Sequence, residues 1–504
     1  MPEQRFLVKA FKGLNVNAPS YYIDDHELSR CRNFELGFSG ELINRTGWAC
    51  PHDGSSFSDV SRLLGFYITD QASKHQLLAA TDTHLFYSND AITWTEILVG
   101  GNPVANAQGG VQYNDKFYVL TTGNGIYEWD GVAATHVTGS PDADFGIIFK
   151  ERMFTFKTAG ANGSRVTFSD VSDVSATGWG NGGFLDCRPG DGDFIVAMAV
   201  VQDTLLIFKM NTTFALYVAP DPADWTLRII NREIGCTSKY ACQEVEGYVY
   251  FVAAMGVYRT DGITFDVISN PVSVAFTGRK ITQASAHTDA LVWWNDRIIV
   301  ALAPNDEIPT WASLANTRWA DLANTLWNGS PPTKEYWVYY LRAAGWTQWD
   351  MSEAGINPFT FVGVRASTPD RGLYAADADD SGRIFRLTEN NYADNDGTQD
   401  VAYTAELETK TFDFGIPTIM KRMKWVGLHR RGGAGQVDFQ AIVDGSSKPV
   451  QSFSLSGEGL SKAVGPGYGD LFRFNVKMLG QAFMEFHSLT CHMHVKRGVL
   501  QNTG

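Results

Sequence analysis

Tyr113-Asn-Asp-Lys-Phe-Tyr-Val-Leu120, followed by Gly125-Ile-Tyr-Glu-Trp-Asp-Gly131, is the stretch that decides the fold. A polar turn precedes an apolar run. A second turn follows, and the next run ends on an aromatic residue and an Asp. Alternating Val, Ile, Phe and Tyr give each run one buried face, as in a β-strand. Asn-Asp, Asp-Gly and Gly-Asn-Gly pairs supply the positive φ that tight hairpins need. The pattern returns in Val245-Glu-Gly-Tyr-Val-Tyr-Phe-Val252 with Gly256-Val-Tyr-Arg-Thr-Asp-Gly262. Further copies begin at Phe149-Lys-Glu-Arg-Met153, Val201-Gln-Asp-Thr-Leu205 and Trp294-Asn-Asp-Arg-Ile298, with looser ones at Asp70 and at Pro369-Asp-Arg-Gly-Leu373.

The second strand of each unit falls at Leu85, Ile126, Val166, Phe214, Val257, Val338 and Ile384. The spacing is 40–48 residues except for one interval of 81. In that interval, residues 304–334 interrupt the unit between Ile298-Ile-Val-Ala-Leu302 and Tyr336-Trp-Val-Tyr-Tyr340. A four-stranded unit of this period is that of a β-propeller. One blade cannot bury both of its faces, so the units must close into a ring. The expected fold is therefore all-β: a propeller over 59–395 with seven blades counted, six or eight also fitting the pattern. A pair of β-sandwiches or a β-helix is the alternative.

Residues 1–58 do not fit the repeat and form an N-terminal arm or platform segment. Asp24-Asp-His-Glu-Leu-Ser-Arg-Cys31 predicts a short helix behind an acidic cap. Asn33 to Phe38 and Glu41 to Arg45 predict a hairpin across Ser39-Gly40. Residues 396–504 predict an antiparallel β platform domain, with alternation in Val401-Ala-Tyr-Thr-Ala-Glu-Leu-Glu408, Val437-Asp-Phe-Gln-Ala-Ile-Val443 and Leu471-Phe-Arg-Phe-Asn-Val476. Charge marks the same division. Residues 401–504 hold 12 Lys and Arg against 8 Asp and Glu, a net of +4, whereas the first 400 hold 29 against 47, a net of −18. The polar segment Tyr392 to Asp400 is the expected linker.

The net charge of −14 over 504 residues argues against a chain that coats itself with DNA. The opening Met1-Pro-Glu-Gln-Arg-Phe-Leu-Val8 lacks the basic and apolar regions of a signal peptide. Apolar runs such as Phe194 to Val201 have strand length, far short of a membrane span. Six cysteines without a Cys-x-x-Cys pair are expected to be reduced, mostly buried thiols of a protein made in a cytoplasm. Gly-x-Ser-x-Gly, P-loop and His-Glu-x-x-His motifs are absent from the sequence, and no carboxylate pair has a spacing diagnostic of a glycosidase. The expectation is a protein that is not an enzyme and carries no cofactor.

Asp377-Ala-Asp-Asp-Ser-Gly382 matches the start of a calcium loop, with Asp377, Asp379 and Ser381 as oxygen ligands. Its twelfth position is Thr388 rather than Glu, so an acidic hairpin turn is the competing assignment. Asp394-Asn-Asp-Gly397 is a weaker match. His492 and His494 share a face if they lie on a strand, and His487 is the nearest third ligand for zinc; a polar surface face is the competing assignment. Ser88-Asn-Asp-Ala-Ile-Thr-Trp94 resembles a shortened Asp-box, a structural turn of sialidase-type propellers. In the insertion, Trp311-Ala-Ser-Leu-Ala-Asn-Thr317 is echoed by Trp319-Ala-Asp-Leu-Ala-Asn-Thr325 and then Trp327. These three Trp are candidate subunit contacts, unless the segment folds back on its own blade.

A family resemblance rests on Phe11-Lys-Gly-Leu-Asn15, Asp25-His-Glu-Leu-Ser29, Cys31-Arg-Asn-Phe34 and Gly40-Glu-Leu-Ile-Asn-Arg-Thr-Gly-Trp48. It continues in Val166-Thr-Phe-Ser-Asp170 with Gly178-Trp179, in Pro417-Thr-Ile-Met-Lys-Arg-Met-Lys-Trp425 and in Phe486-His-Ser-Leu-Thr-Cys-His-Met-His-Val495. This pattern resembles the tail nozzle and tubular tail proteins of short-tailed, podovirus-type bacteriophages, and Arg45-Thr-Gly-Trp48 is its most specific part. The resemblance implies a propeller on a β platform, in a virion tail assembled in the host cytoplasm. It implies a ring of copies, six in those phages, around a DNA ejection channel, with a tail adaptor or connector and tail fibre or tip proteins as partners. Double-stranded DNA would pass without specific binding, and no membrane insertion is implied. The alternative function is a carbohydrate-binding or glycoside-hydrolysing propeller of a virion or extracellular protein.

Overall fold

The computed structural model describes residues 3–51, 62–69, 74–158, 160, 162–277, 279, 289–303, 334–365, 371–377, 382–416, 419–432, 435–455, 457–480 and 483–495. Seven four-stranded antiparallel units make up the centre of the molecule. Blade 2 shows the plan: Ala107–Tyr113, Lys116–Thr121, Ile126–Trp129 and Ala134–Val137, paired in chain order. The seven positions counted from sequence all fall in third strands, from Leu85–Ser88 to Ile384–Leu387. The innermost strands are Arg62–Thr69, Ala107–Tyr113, Phe145–Phe149, Ile195–Val201, Cys242–Val245, Ala290–Trp294 and Pro358–Val364. Each packs against the next, and the last packs against the first, so the ring is closed with seven blades.

The turns between first and second strands explain the repeated polar pairs. Asn114 and Asp115 have φ of 49° and 57°, Lys150 and Glu151 of 49° and 60°, and Gln202 of 50°. This left-handed geometry matches the twist of a two-residue hairpin. Side chains stitch blades together across the ring. The Leu63 N–H donates to Thr360 Oγ1 at 3.0 Å, the Ile68 N–H to Gln112 Oε1 at 3.1 Å, and the Trp293 N–H to Gln243 Oε1 at 2.7 Å.

Blade 7 is completed from the other end of the chain. Pro358–Val364, Gly372–Asp377 and Ile384–Leu387 receive Trp48–Ala49 as their outermost strand. The long sequence interval falls in blade 6, between Arg297–Leu302 and Glu335–Tyr340. Residues 304–333 of that insertion, with Trp311, Trp319 and Trp327, lie outside the described residues.

The arm and the C-terminal region share two sheets. In the first, Lys421–Gly432 lies between Gly459–Gly469 and Met484–Val495, and Glu3–Lys9 pairs with the far side of Met484–Val495. The predicted hairpin is present as Phe34–Leu36 with Leu42–Asn44 and joins this sheet. In the second, Glu27–Arg32, Tyr403–Thr409, Phe472–Gly480 and Gly435–Val443 lie side by side. Arg32 bridges Gln348 in the outer strand of blade 6, so the platform continues that blade. Both sheets contribute to one core, with Val426, Leu428 and Leu489 from the first and Phe439, Phe474 and Val476 from the second.

Two local expectations are corrected. The helix predicted at Asp24–Cys31 is a turn followed by the strand Glu27–Arg32. Asp24 Oδ1 accepts the His26 N–H at 2.9 Å, so the acidic cap signal closes a turn instead of starting a helix. The expected linker is an ordered hairpin, Asp394–Asn395 against Asp400–Val401, and Asp394 is buried.

Candidate functional site

Arg45 is fully buried where the arm, blade 6, blade 7 and the platform meet. Its guanidinium grips Asp394 in a fork, Nη1 to Oδ1 at 2.8 Å and Nη2 to Oδ2 at 2.5 Å. Nε donates to Asn33 Oδ1 at 2.9 Å and Nη2 to the Asp350 carbonyl at 3.1 Å. The group lies 4.0 Å from the Tyr403 ring centroid, and the Tyr403 hydroxyl donates to the Arg45 carbonyl. Asp394 Oδ1 also accepts the Trp48 N–H at 3.0 Å. A Cβ on Gly47 would sit 1.8 Å from the Ala393 carbonyl oxygen, so only glycine lets the two chains approach this closely. Arg45-Thr46-Gly47-Trp48 is therefore a clasp that fastens the closing strand of the ring to the platform. Beside it lies a cavity of about 660 Å³ lined by Glu35, Trp294, Arg297, Arg371, Arg386 and Glu389. Two of its guanidiniums are engaged: Arg297 pairs with Glu35, and Arg386 donates to the Arg371 carbonyl at 2.8 Å.

The middle of the ring carries a buried lysine. Lys239, from the segment between blades 4 and 5, donates to the Gln108 carbonyl at 3.1 Å and to Gln108 Oε1 and the Asp144 carbonyl at 3.2 Å. The Tyr240 hydroxyl reaches the same Gln108 carbonyl at 3.1 Å. This segment thus spans from blade 5 to the inner strand of blade 2 and narrows the axis. Nearby, Arg279 pairs with Asp289 at 2.6 Å, and Asp289 also accepts the Thr237 hydroxyl at 2.8 Å. Burial pushes the neighbouring Lys334 ammonium down to about 8. Sequence periodicity carried no signal for these contacts, because their partners lie in different blades.

Asp377 ends the second strand of blade 7 and is fully buried. Its Oδ2 accepts from Arg383 at 2.7 Å and its Oδ1 from the Asn357 N–H at 3.1 Å. Asp379 and Ser381 lie outside the described residues. Among the described residues, no three His, Cys, Asp or Glu side chains are grouped to hold a metal. All six cysteines are free, four of them buried. In the shortened Asp-box, Asp90 Oδ1 accepts the N–H groups of Ile92 and Thr93 at 2.8 and 2.7 Å, and Trp94 is buried. Asp130 and Asp261 form the same turn in blades 2 and 5.

His492 and His494 share one face of the first platform sheet and Cys491 and Met493 the opposite, core-facing one; His492 is itself buried, beneath the Trp425 ring, and His494 is half-buried. Arg5, His492, Trp425 and Val464 form one row across four strands of that face. Leu7, Thr490, Gly427 and Lys462 form the next, and Lys9, Ser488, His429 and Leu460 the third. The Trp425 and His492 rings stack, with centroids 5.0 Å apart and planes at 8°. Lys462 Nζ lies 4.9 Å from the Trp425 centroid. His487 sits apart at a bulge, 3.4 Å from Glu485.

No family model and no curated protein matches the chain. Solved structures with a similar fold include YCF48 from Cyanidioschyzon merolae, at 11% identity over 68% of this chain and 98% of that one, with a TM-score of 0.39. The Pan2 WD40 domain of Neurospora crassa aligns at 11% identity over 69% and 96%, with a TM-score of 0.37. The propeller assignment rests on the seven sheets and their closure, not on these scores.

Proposed function

We propose that the chain is a structural, non-enzymatic subunit of a bacteriophage tail nozzle, one of a ring of copies, six in number, around the DNA ejection channel. The clasp carries this reading. The residues most specific to the nozzle resemblance, Arg45-Thr46-Gly47-Trp48, are the ones that lock a propeller to a β platform through a buried ion pair. A ring that must hold its shape under force needs such a rigid joint more than it needs a cleft. The narrowed axis supports the same reading. B-DNA is roughly 20 Å across, so the conduit is the axis of the oligomer and not that of one propeller. Propellers with a net charge of −18 over residues 1–400 would border that conduit and repel phosphate, which keeps a passing duplex from sticking. A tail adaptor and tail fibre or tip proteins are the expected neighbours.

Immunogold labelling of particles from the source culture, with an antibody to the recombinant chain, tests the proposal. Gold at the lower end of tails is expected. Intact tails without gold, while the free protein labels well, would reject it and bring the glycan-binding propeller forward; release of reducing sugar from a glycan would then identify an enzyme.

A further inference from the structure

We infer that the outward face of the first platform sheet is the contact for the acidic propeller of a second copy of this chain, an inference that rests on the ring assembly proposed above. The charge on this face is the reverse of the molecule's. Its three rows, a fourth made of Glu3, His494, Arg422 and Tyr468, and the bulge at Lys424 carry five fixed cations, Arg5, Lys9, Arg422, Lys424 and Lys462, against one acidic position, Glu3. The carboxylates at its border are Glu458 and Glu485, the second held by His487. The most acidic partner always present at equal concentration is the chain's own first 400 residues, with a net of −18.

The face also has the composition of a protein contact. Leu460, Val464 and Tyr468 are 39%, 72% and 53% exposed beside Trp425, so apolar and aromatic area is interleaved with the cations. The Trp425 ring is already packed by His492 and Lys462, which disfavours a base stacking on it. Joining this face to a propeller elsewhere on a neighbour is a head-to-tail contact, the kind that closes into a ring. Because opposite charges draw the surfaces together, the association weakens as salt rises.

Sedimentation velocity of the full chain at low and physiological salt tests this, with Lys9→Glu/Lys462→Glu as the variant and Arg342→Glu as the control. Arg342 sits on the propeller, and its side chain is 71% exposed. The wild type is expected to assemble in a salt-sensitive way. The double variant should associate about tenfold more weakly or less, with an unchanged melting temperature, and the control should behave as wild type. A zero-length carbodiimide crosslink on mixed isotope-labelled and unlabelled chains should join Lys424 or Lys462 to propeller carboxylates of the other copy. Undiminished assembly of the double variant overturns the inference and leaves the tail reading standing. A chain that stays monomeric also overturns it, and the tail reading falls too only where particles carry no gold. A wild type that shifts duplex DNA, when the double variant does not, overturns it in favour of nucleic acid.

Discussion

Arg45 and Asp394 show at the scale of single residues what the sequence displays and what it hides. Arg45-Thr46-Gly47-Trp48 stood out as a motif, yet its chemistry was not legible, because Arg45 meets its carboxylate 349 positions away in a segment that looked like a linker. A polar, turn-rich stretch carries no mark that one of its Asp residues is buried. Removing one partner from a buried, hydrogen-bonded pair leaves the other charge unsolvated. Asp394→Asn is therefore expected to cost about 3–5 kcal/mol, read as a shift in the denaturant midpoint. Because much of that loss is the stranded guanidinium, Asp394→Leu with Arg45→Leu should cost less than the sum of the two single changes. A cost for Asp394→Asn within about 0.5 kcal/mol of zero, as for ordinary surface sites, would show that the fork does not hold the joint.

Among elements, the hairpins were the legible ones, since a turn and its two strands are local. The seven positions from Leu85 to Ile384 fall in the same strand of every blade because each unit repeats the same turn chemistry, but that strand is the third and not the second, since the innermost strand precedes the turn that marks the unit. The strand Glu27–Arg32 was misread because its partner, Tyr403–Thr409, is remote, while Asp24 offers a local cap signal. The turns also contain a measurable imperfection. Gln202 holds φ of 50° at an exposed tip, a region that Asn enters more readily than Gln. Gln202→Asn should raise stability by about 0.5 kcal/mol, and Gln202→Val should lower it by about 1–2 kcal/mol, since a β-branched side chain crowds the left-handed backbone. Thermal denaturation of the pair decides the point. Equal melting temperatures would mean that the turn relaxes out of the left-handed region at no cost.

For the whole molecule, the repeat implies that the ring closes but not which strand closes it. The count predicted seven blades, but the last blade's outer strand is the two-residue Trp48–Ala49, too short to carry a period. The arm that supplies it first enters the platform at Glu3–Lys9, then pairs with Tyr403–Thr409 at Glu27–Arg32, and only then closes the ring. Propeller and platform are thus two architectures threaded by one strand of chain. Two domains joined by a passive linker unfold as separate units. Here, opening the platform pulls out Arg45 and the fourth strand of blade 7, so the two parts should unfold together. Calorimetry is expected to give one transition with equal calorimetric and van't Hoff enthalpies. Hydrogen exchange should protect the platform strand Met484–Val495 and the blade 7 strand Gly372–Asp377 to the same limit. Deleting residues 3–51 should therefore speed exchange in Gly372–Asp377 as well as in the platform. If that strand stays protected in the deletion, the ring closes without the arm, and the clasp only tethers the platform to a propeller that is complete on its own.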